Sequence, residues 1–176
     1  SPLFIKNFNN ARVIHIVRDP RAVIASNYVN KLHRYPFTFL CRQWRKLASL
    51  AWYYSQNNEK VLLIKYEDLI IQPENISKKI CEFLDVDYDS TIINPNQFVD
   101  GLGKKWKQNT SYKKKTKGFD SSSINKWEEV LDSNQIKIVE AFCHFEMALF
   151  KYKFRYDSNY LDMEECLLNY KEIDIP

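Results

Sequence analysis

The stretch Arg12-Val-Ile-His-Ile-Val-Arg-Asp-Pro-Arg-Ala-Val-Ile-Ala-Ser26 sets the architecture of this 176-residue chain. Its first half is apolar and mostly β-branched, a pattern that predicts a strand covered on both faces. The strand breaks before Asp19 and Pro20. Asp19 can cap a helix, and Pro20 suits the first helical turn because it has no amide to lose. The sequence therefore predicts a strand, a tight loop and a helix.

The junction between this strand and helix has the composition of an anion site. Arg18 and Arg21 both stand at the start of the predicted helix. Ser26 follows Asp19 by seven residues, or about two turns, so we expect both on one helix face. Ligands of open α/β sheets bind at this carboxyl edge, and helix amides, helix dipole and arginine favour a phosphate there. The alternative is a structural joint in which Arg18 and Asp19 pair at the surface.

The segment from Arg18 to Ser26 resembles the 3′-phosphate-binding segment of sulfotransferases that use 3′-phosphoadenosine 5′-phosphosulfate (PAPS). In that family an Arg after a strand and a Ser eight residues later hold the 3′-phosphate of the donor, and both stand at that spacing here. A second match is Val61-Leu-Leu-Ile-Lys-Tyr-Glu-Asp-Leu69, with Pro73 and Ile80-Cys-Glu-Phe-Leu84 behind it. It resembles the strand of the family that ends in Tyr-Glu-Asp-Leu and the helix that follows. The resemblance implies an α/β, P-loop-like, three-layer sulfotransferase fold with a parallel sheet.

Two aromatic residues gain a role from this resemblance. Tyr66 corresponds to a family Tyr that lies against the adenine of the donor. From the residues alone, a half-buried Tyr at a sheet edge, bonded to backbone, is the alternative. Phe98, in Ile92-Ile-Asn-Pro-Asn-Gln-Phe98, resembles a segment whose Phe flanks the adenine.

A lysine tract lies in the acid-free stretch between Asp100 and Asp120. It is open to three interpretations: a solvated loop, a nucleic-acid surface built on charge and stacking, or the late basic loop that sulfotransferases fold over the 3′-phosphate. The third follows from the resemblance and assigns Lys117 and Gly118 to that phosphate. Lys in place of the family's Arg leaves a point charge without a bidentate fork. The tract consists of Lys104, Lys105, Lys107, Lys113, Lys114, Lys115 and Lys117, with Trp106 and Tyr112 among them.

Composition narrows the class of protein. Hydrophobic residues make up 45% of the chain, as in a globular domain, and there are only three glycines. No apolar run approaches the ~20 residues of a membrane span. Four widely spaced cysteines form no C-x-x-C pair and predict reduced thiols in a cytoplasmic protein without a metal site. These are Cys41, Cys81, Cys143 and Cys166.

The periodicity of apolar residues predicts the remaining elements. One further strand and several helices are expected. A core stripe, rather than a cofactor site, is formed by Ile136, Val139, Phe142, Cys143 and Met147. The predicted elements are a helix over 36–57, the strand 61–65, a helix over 75–84, a loop over 85–100, and helices over 121–131 and 134–152.

Two parts of the family pattern have no counterpart here. No segment matches the 5′-phosphosulfate loop, which normally lies near the N-terminus, and no catalytic base can be assigned. The three histidines, His15, His33 and His144, fit packing or surface roles. We therefore interpret 1–155 as a partial sulfotransferase domain that lacks the N-terminal strand-loop-helix, and 156–176 as a C-terminal tail with a possible short helix.

The resemblance implies that the intact enzyme transfers a sulfuryl group from PAPS to an acceptor hydroxyl or amine. This chain would hold the 3′-phosphate and adenine, and it would be inactive alone. The expected partners are the nucleotide donor and the acceptor, with no nucleic acid, membrane segment or metal. Two alternatives stay open: a P-loop kinase-like nucleotide enzyme, and a non-catalytic module that binds a nucleotide or polyanion.

Overall fold

A computed structural model describes residues 7–8, 10–26, 35–94, 97–104 and 119–156. Within these residues two strands pair in a parallel sheet, and helices follow both strands. In the part of the chain that the structure describes, 3₁₀ turns at Ser90–Ile93 and Ser121–Ser123 lie between helices. In chain order the strands and α-helices are β1 (Val13–Val17), α1 (Pro20–Ile24), α2 (Phe37–Asn57), β2 (Val61–Lys65), α3 (Tyr66–Ile71), α4 (Pro73–Leu84), α5 (Trp127–Val130), α6 (Ser133–Phe142) and α7 (His144–Leu149).

The chain divides into two compact units. The first comprises Ser1–Ile16 and Asn58–Ser121, and the second Val17–Asn57 and Ser122–Pro176. In the first, β2 runs directly into α3, and α4 packs against both. The core of this unit includes Val61, Ile64 and Cys81.

The second unit is helical. α2 packs against α1, α6 and α7, because small or aromatic side chains line one of its faces. These residues are Cys41, Trp44, Ala48 and Ala51. The facing helix α6 begins with a capping box: Asp132 accepts from the Gln135 amide and the Gln135 side chain accepts from the Asp132 amide. The cap fixes the start of a helix that carries much of the core of this unit.

Several predicted elements are confirmed. Strands β1 and β2 and the long helix α2 lie where the apolar periodicity placed them. The core stripe is also confirmed for Ile136, Val139 and Cys143, which are buried in the second unit together with Met147.

Other expectations were wrong in detail. Ile16 is 52% exposed, so β1 is not covered on both faces along its whole length. The helix predicted over 134–152 is interrupted at Cys143, whose backbone angles leave the helical range (φ −102°, ψ 12°). The helix predicted over 121–131 is a 3₁₀ turn followed by the short α5. Within the described ranges, no helix is both long and apolar enough to cross a bilayer.

Candidate functional site

Arg18 is held from two directions within the second unit. It directly follows β1, and its side chain is half-buried. The Nη2 group donates to the carbonyl of Ser123 at 2.7 Å. The carbonyl of Arg18 in turn accepts from Nε1 of the buried Trp44 at 2.9 Å. The Trp44 side chain therefore positions the backbone of Arg18, and the Ser123 backbone positions its guanidinium.

The loop that carries Arg18 ends in a helix cap. Oδ1 of Asp19 accepts from the amide of Arg21 at 2.8 Å. The same carboxylate also accepts from Nε at 3.0 Å and from Nη2 at 2.6 Å of the Arg21 side chain. Asp19 thus caps α1, as predicted, and orients Arg21 at the same time. The first-turn amide of Arg21 is satisfied by the chain's own carboxylate, whereas the sequence predicted that the helix amides face an anion.

Arg21 lies inside the protein and not beside an anion site. Only 4% of the residue is exposed, and Nη1 pairs with Oε1 of Glu140 at 2.5 Å. The guanidinium lies over the ring of Trp127, 4.1 Å from its centroid. Arg21 therefore balances two buried carboxylates, although in the sequence it stands with Arg18 beside the start of the helix. We call Asp19, Arg21, Trp127 and Glu140 the arginine hub.

The carboxylates of the hub keep Arg21 charged. Burial alone would lower the pKa of the Arg21 guanidinium, but its hydrogen bond to Asp19 and the charges of Asp19 and Glu140 outweigh burial and raise this pKa above its ordinary value. Glu140 itself has no exposed surface. A fully charged, paired arginine in such a place is costly to disrupt, since removal of one partner leaves a buried charge without compensation.

Glu140 also binds the backbone that follows α7. Its Oε1 accepts from the amide of Arg155 at 2.9 Å, and Oε2 accepts from the amide of Tyr156 at 3.0 Å. Arg21 donates from Nη2 to the carbonyl of Lys153 at 2.9 Å. The hub therefore connects the Arg18 loop to the segment Lys153–Tyr156.

The other predicted site residues have different positions. Ser26 lies two residues beyond the end of α1, and its amide donates to the Val23 carbonyl at 3.2 Å, so the helix is shorter than the two turns that the sequence predicted. Ser26 and Arg18 both belong to the second unit. Tyr66 and Phe98 belong to the first unit and are half-buried. Lys117 and Gly118 lie outside the described residues.

Tyr66 is the first residue of α3, whereas the sequence predicted that it ends the strand. Lys65, the last residue of β2, has extended backbone angles, and the chain turns helical at the next residue. Tyr66 thus stands directly after strand β2, just as Arg18 stands directly after strand β1.

Glu140 is a key residue of the hub that was not predicted from the sequence. A signal was present: Glu140 stands among Ile136, Val139 and Cys143 on the core face of α6. An acidic residue on an apolar stripe is rarely buried without a partner, and it indicates an arginine elsewhere in the chain. Spacing alone could not identify Arg21 as that partner.

Comparison with known proteins assigns the family. The family model described as "Sulfotransferase domain" matches residues 2–151. The chain belongs to the sulfotransferase family. The matched range includes Arg18, Ser26 and Glu140, whereas Lys153, Arg155 and Tyr156 lie beyond it.

Three known sulfotransferases are similar to this chain. A protein-tyrosine sulfotransferase of Drosophila melanogaster is 26% identical over 102 residues, which are 54% of this chain and 20% of that protein. The sulfotransferase domain from the Synechococcus PCC 7002 olefin synthase is 26% identical, with a TM-score of 0.63 over 81% of this chain and 50% of that one. The sulfotransferase domain from the curacin biosynthetic pathway, at 19% identity, shares the fold, with a TM-score of 0.65 over 88% and 59% of the two chains.

This sulfotransferase chain spans about half the length of the solved domains that it matches. Their likeness supports the predicted α/β sulfotransferase fold with its parallel sheet. Among the described residues, no cluster of three or more His, Cys, Asp and Glu is arranged to hold a metal ion.

Proposed function

We propose that this sulfotransferase chain holds the nucleotide end of PAPS while the sulfuryl group is transferred to an acceptor hydroxyl or amine. Arg18 and Ser26 bind the 3′-phosphate, and Tyr66 and Phe98 contact the adenine. Lys117, with Gly118, adds positive charge near the same phosphate. The observation that carries the proposal is the position of Arg18, directly after a parallel strand and oriented by the Ser123 carbonyl at 2.7 Å.

The contact with Ser123 supports a phosphate role for Arg18. Ser123 follows the lysine tract and belongs to the 3₁₀ turn Ser121–Ser123. The hydrogen bond therefore brings the segment after the tract to the arginine after β1. In the sulfotransferases that this chain resembles, a late basic loop covers the 3′-phosphate, and the contact of Arg18 with Ser123, a few residues after the lysine tract, supports a similar role for this tract. A neutral carbonyl orients a guanidinium without cancelling its charge.

The residues proposed to bind the 3′-phosphate do not act on the reacting atoms directly. In the transfer, the acceptor oxygen or nitrogen forms a bond to sulfur while the bond from sulfur to the bridging oxygen of the donor breaks. Adenosine 3′,5′-bisphosphate leaves with that electron pair, and the acceptor releases a proton. Arg18 and Ser26 fix the register of the donor, so that binding energy at the phosphate is used for orientation at the sulfur.

Family membership favours this proposal over a kinase-like enzyme. The polyanion-binding alternative would rest on the lysine tract, most of which lies outside the described residues. The two can be separated by selectivity, because a polyanion surface responds to total charge and salt, whereas a 3′-phosphate site responds to where the phosphate is attached.

Isothermal titration calorimetry with three nucleotides tests the proposal. Adenosine 3′,5′-bisphosphate should bind at least about tenfold more tightly than adenosine 5′-monophosphate, because a charge-assisted hydrogen bond contributes roughly 1.5–3 kcal/mol. Adenosine 2′,5′-bisphosphate, with equal charge, serves as the control and should bind more weakly than the 3′,5′ isomer. Equal affinity for all three nucleotides would contradict the proposal.

A further inference from the structure

We infer that the ion pair of Arg21 and Glu140, with the segment Lys153–Tyr156 that it binds, positions Arg18 for the 3′-phosphate. In this arrangement, residues beyond the matched sulfotransferase domain help to position Arg18, which binds the donor. The inference rests on the proposed function of Arg18. It adds three elements: a second arginine that does not touch the ligand, its buried acidic partner and a backbone segment.

Arg21 is coupled to Arg18 through the intervening loop. Asp19 is the covalent neighbour of Arg18, and its carboxylate makes three contacts of 2.6–3.0 Å with the backbone and side chain of Arg21. Asp19 is 6% exposed. A displacement of the Arg21 guanidinium would therefore pull on the carboxylate that defines the turn after Arg18.

Arg21 is also linked to the chain segment of Ser123, whose carbonyl accepts the hydrogen bond from Arg18. The guanidinium lies over Trp127, which is 6% exposed and begins α5. Trp127 is four residues after Ser123, whose carbonyl accepts from Arg18. The same buried cation thus contacts Asp19, the residue after Arg18, and Trp127, four residues after Ser123.

Glu140 and the segment Lys153–Tyr156 hold Arg21 in this place. Glu140 uses both carboxylate oxygens: Oε1 for Arg21 and the Arg155 amide, and Oε2 for the Tyr156 amide. Arg21 in turn donates a hydrogen bond to the Lys153 carbonyl. Because the planar fork of an arginine binds such acceptors only in a narrow range of orientations, the order of this backbone segment and the orientation of Arg21 depend on each other.

A matched pair of substitutions at Arg155 tests the backbone contact. Arg155→Pro removes the amide that donates to Glu140, whereas Arg155→Ala keeps that amide. Both variants lack the Arg155 side chain, which pairs with Glu128 at 3.7 Å and lies 5.9 Å from the centroid of the Trp127 ring, so the difference between them reports on the amide alone. The measured quantity is the affinity ratio of adenosine 3′,5′-bisphosphate to adenosine 5′-monophosphate. It should be about tenfold lower in Arg155→Pro than in Arg155→Ala, within the range of couplings between sites. A merely structural role would weaken both nucleotides alike and leave the ratio unchanged.

Hydrogen exchange on the unmodified protein gives a second test that needs no variant. Coupling is reciprocal, so adenosine 3′,5′-bisphosphate should slow exchange of the Arg155 and Tyr156 amides, and adenosine 5′-monophosphate should not. This measurement decides the matter if Arg155→Pro does not fold. Identical protection with both nucleotides would overturn the inference.

Failure of this inference differs from failure of the proposed function. If the unmodified protein does not prefer the 3′,5′-bisphosphate, the proposed phosphate role of Arg18 is wrong. If that preference exists and Arg18→Ala abolishes it, the role of Arg18 stands. In that case, a normal ratio in folded Arg155→Pro, with no nucleotide-dependent protection, would overturn only the positioning role of the hub.

Discussion

Arg18 and Ser123 are 105 residues apart in the sequence and are joined by a hydrogen bond of 2.7 Å from Nη2 to the backbone carbonyl. Arg21, only three residues after Arg18, instead pairs with Glu140 and is buried. Two arginines of one short motif thus have different environments. One is oriented by a carbonyl in a half-buried position, and the other balances carboxylates in the interior. We assign ligand binding to the first and positioning to the second.

Replacement of Ser26 by alanine tests the second proposed phosphate ligand. Loss of the hydroxyl should weaken binding of adenosine 3′,5′-bisphosphate by about tenfold, as expected for a hydrogen bond to a charged group, and leave binding of adenosine 5′-monophosphate unchanged. Calorimetry measures both affinities. Ser90→Ala, at an exposed serine of the first unit, is the control and should change neither. An unchanged bisphosphate affinity in Ser26→Ala would remove this residue from the site.

Replacement of Glu140 by leucine tests the energetic weight of the arginine hub. The substitution leaves Arg21 with one carboxylate and leaves the amides of Arg155 and Tyr156 without their acceptor. We expect the free energy of unfolding to fall by about 3–5 kcal/mol, as for other broken buried ion pairs, measured by urea denaturation. Glu74→Ala breaks the exposed pair with Lys78 and should leave stability nearly unchanged. Equal effects of the two substitutions would show that the hub contributes no more than a surface pair.

Replacement of Trp44 by phenylalanine tests how the backbone of Arg18 is held. The indole Nε1 donates to the Arg18 carbonyl at 2.9 Å, and phenylalanine keeps an aromatic ring there but has no donor. We expect a loss of about 1–3 kcal/mol in stability and a weaker affinity for the 3′,5′-bisphosphate. Trp52→Phe, on the same helix, is the control, since the edge-to-face contact of Trp52 with Phe150 needs no indole donor. If Trp44→Phe behaves like Trp52→Phe, the hydrogen bond is not important for the site.

The buried thiol of Cys143 should make stability depend on alkaline pH. Its hydrogen bond to Cys41 and its burial raise the pKa of the Cys143 thiol far above the model-peptide value of 9.0. Above that value the unfolded chain releases the proton while the folded protein retains it, so the stability that this thiol contributes below pH 9.0 is lost as the pH rises. The free energy of unfolding should then fall by up to about 1.4 kcal/mol per pH unit from this group.

Cys143→Ala provides the comparison for this pH dependence. Denaturation curves at several pH values above 9.0 should show a shallower decline in the variant than in the unmodified protein. Parallel declines would mean that the Cys143 thiol ionises alike in the folded and unfolded states. The difference between the two proteins removes the contribution of lysines and tyrosines that titrate in the same range.

The elements that the sequence predicted well are those governed by local patterns. Strand β1 has a run of β-branched residues, and α2 has an apolar stripe at helical spacing. Each of these signals is complete within a few turns of chain. Their confirmation in the structure therefore needed no knowledge of the partner elements.

The sequence did not reveal features of the structure that depend on contacts between particular residues. Arg21 stands beside the predicted anion site in the sequence, but its partner Glu140 is 119 residues away, and local spacing does not reveal that the two form a buried pair. The exact end of α1 was also missed. The Ala25 amide still bonds to Arg21, but the Ser26 amide bonds to Val23, a tighter turn that ends the helix and that apolar periodicity does not reveal.

The family was predicted from two ordered motifs, whereas the roles of the individual site residues stay predictions. Tyr66 and Phe98 belong to the unit that does not contain Arg18 and Ser26, and Lys117 lies outside the described residues. Sequence spacing can indicate that such residues share a ligand. Only binding measurements can assign each one to the phosphate or the adenine.

The most direct test of the phosphate role of Arg18 is a thermodynamic cycle that combines Arg18→Ala with removal of the 3′-phosphate from the nucleotide. We predict that the substitution weakens binding of adenosine 3′,5′-bisphosphate by about a hundredfold, or roughly 2.7 kcal/mol, and leaves adenosine 5′-monophosphate unaffected. Arg42→Ala, at an exposed arginine of α2, is the charge-matched control and should change neither affinity. An equal loss for both nucleotides, or no loss for either, would contradict the assignment of Arg18 to the 3′-phosphate.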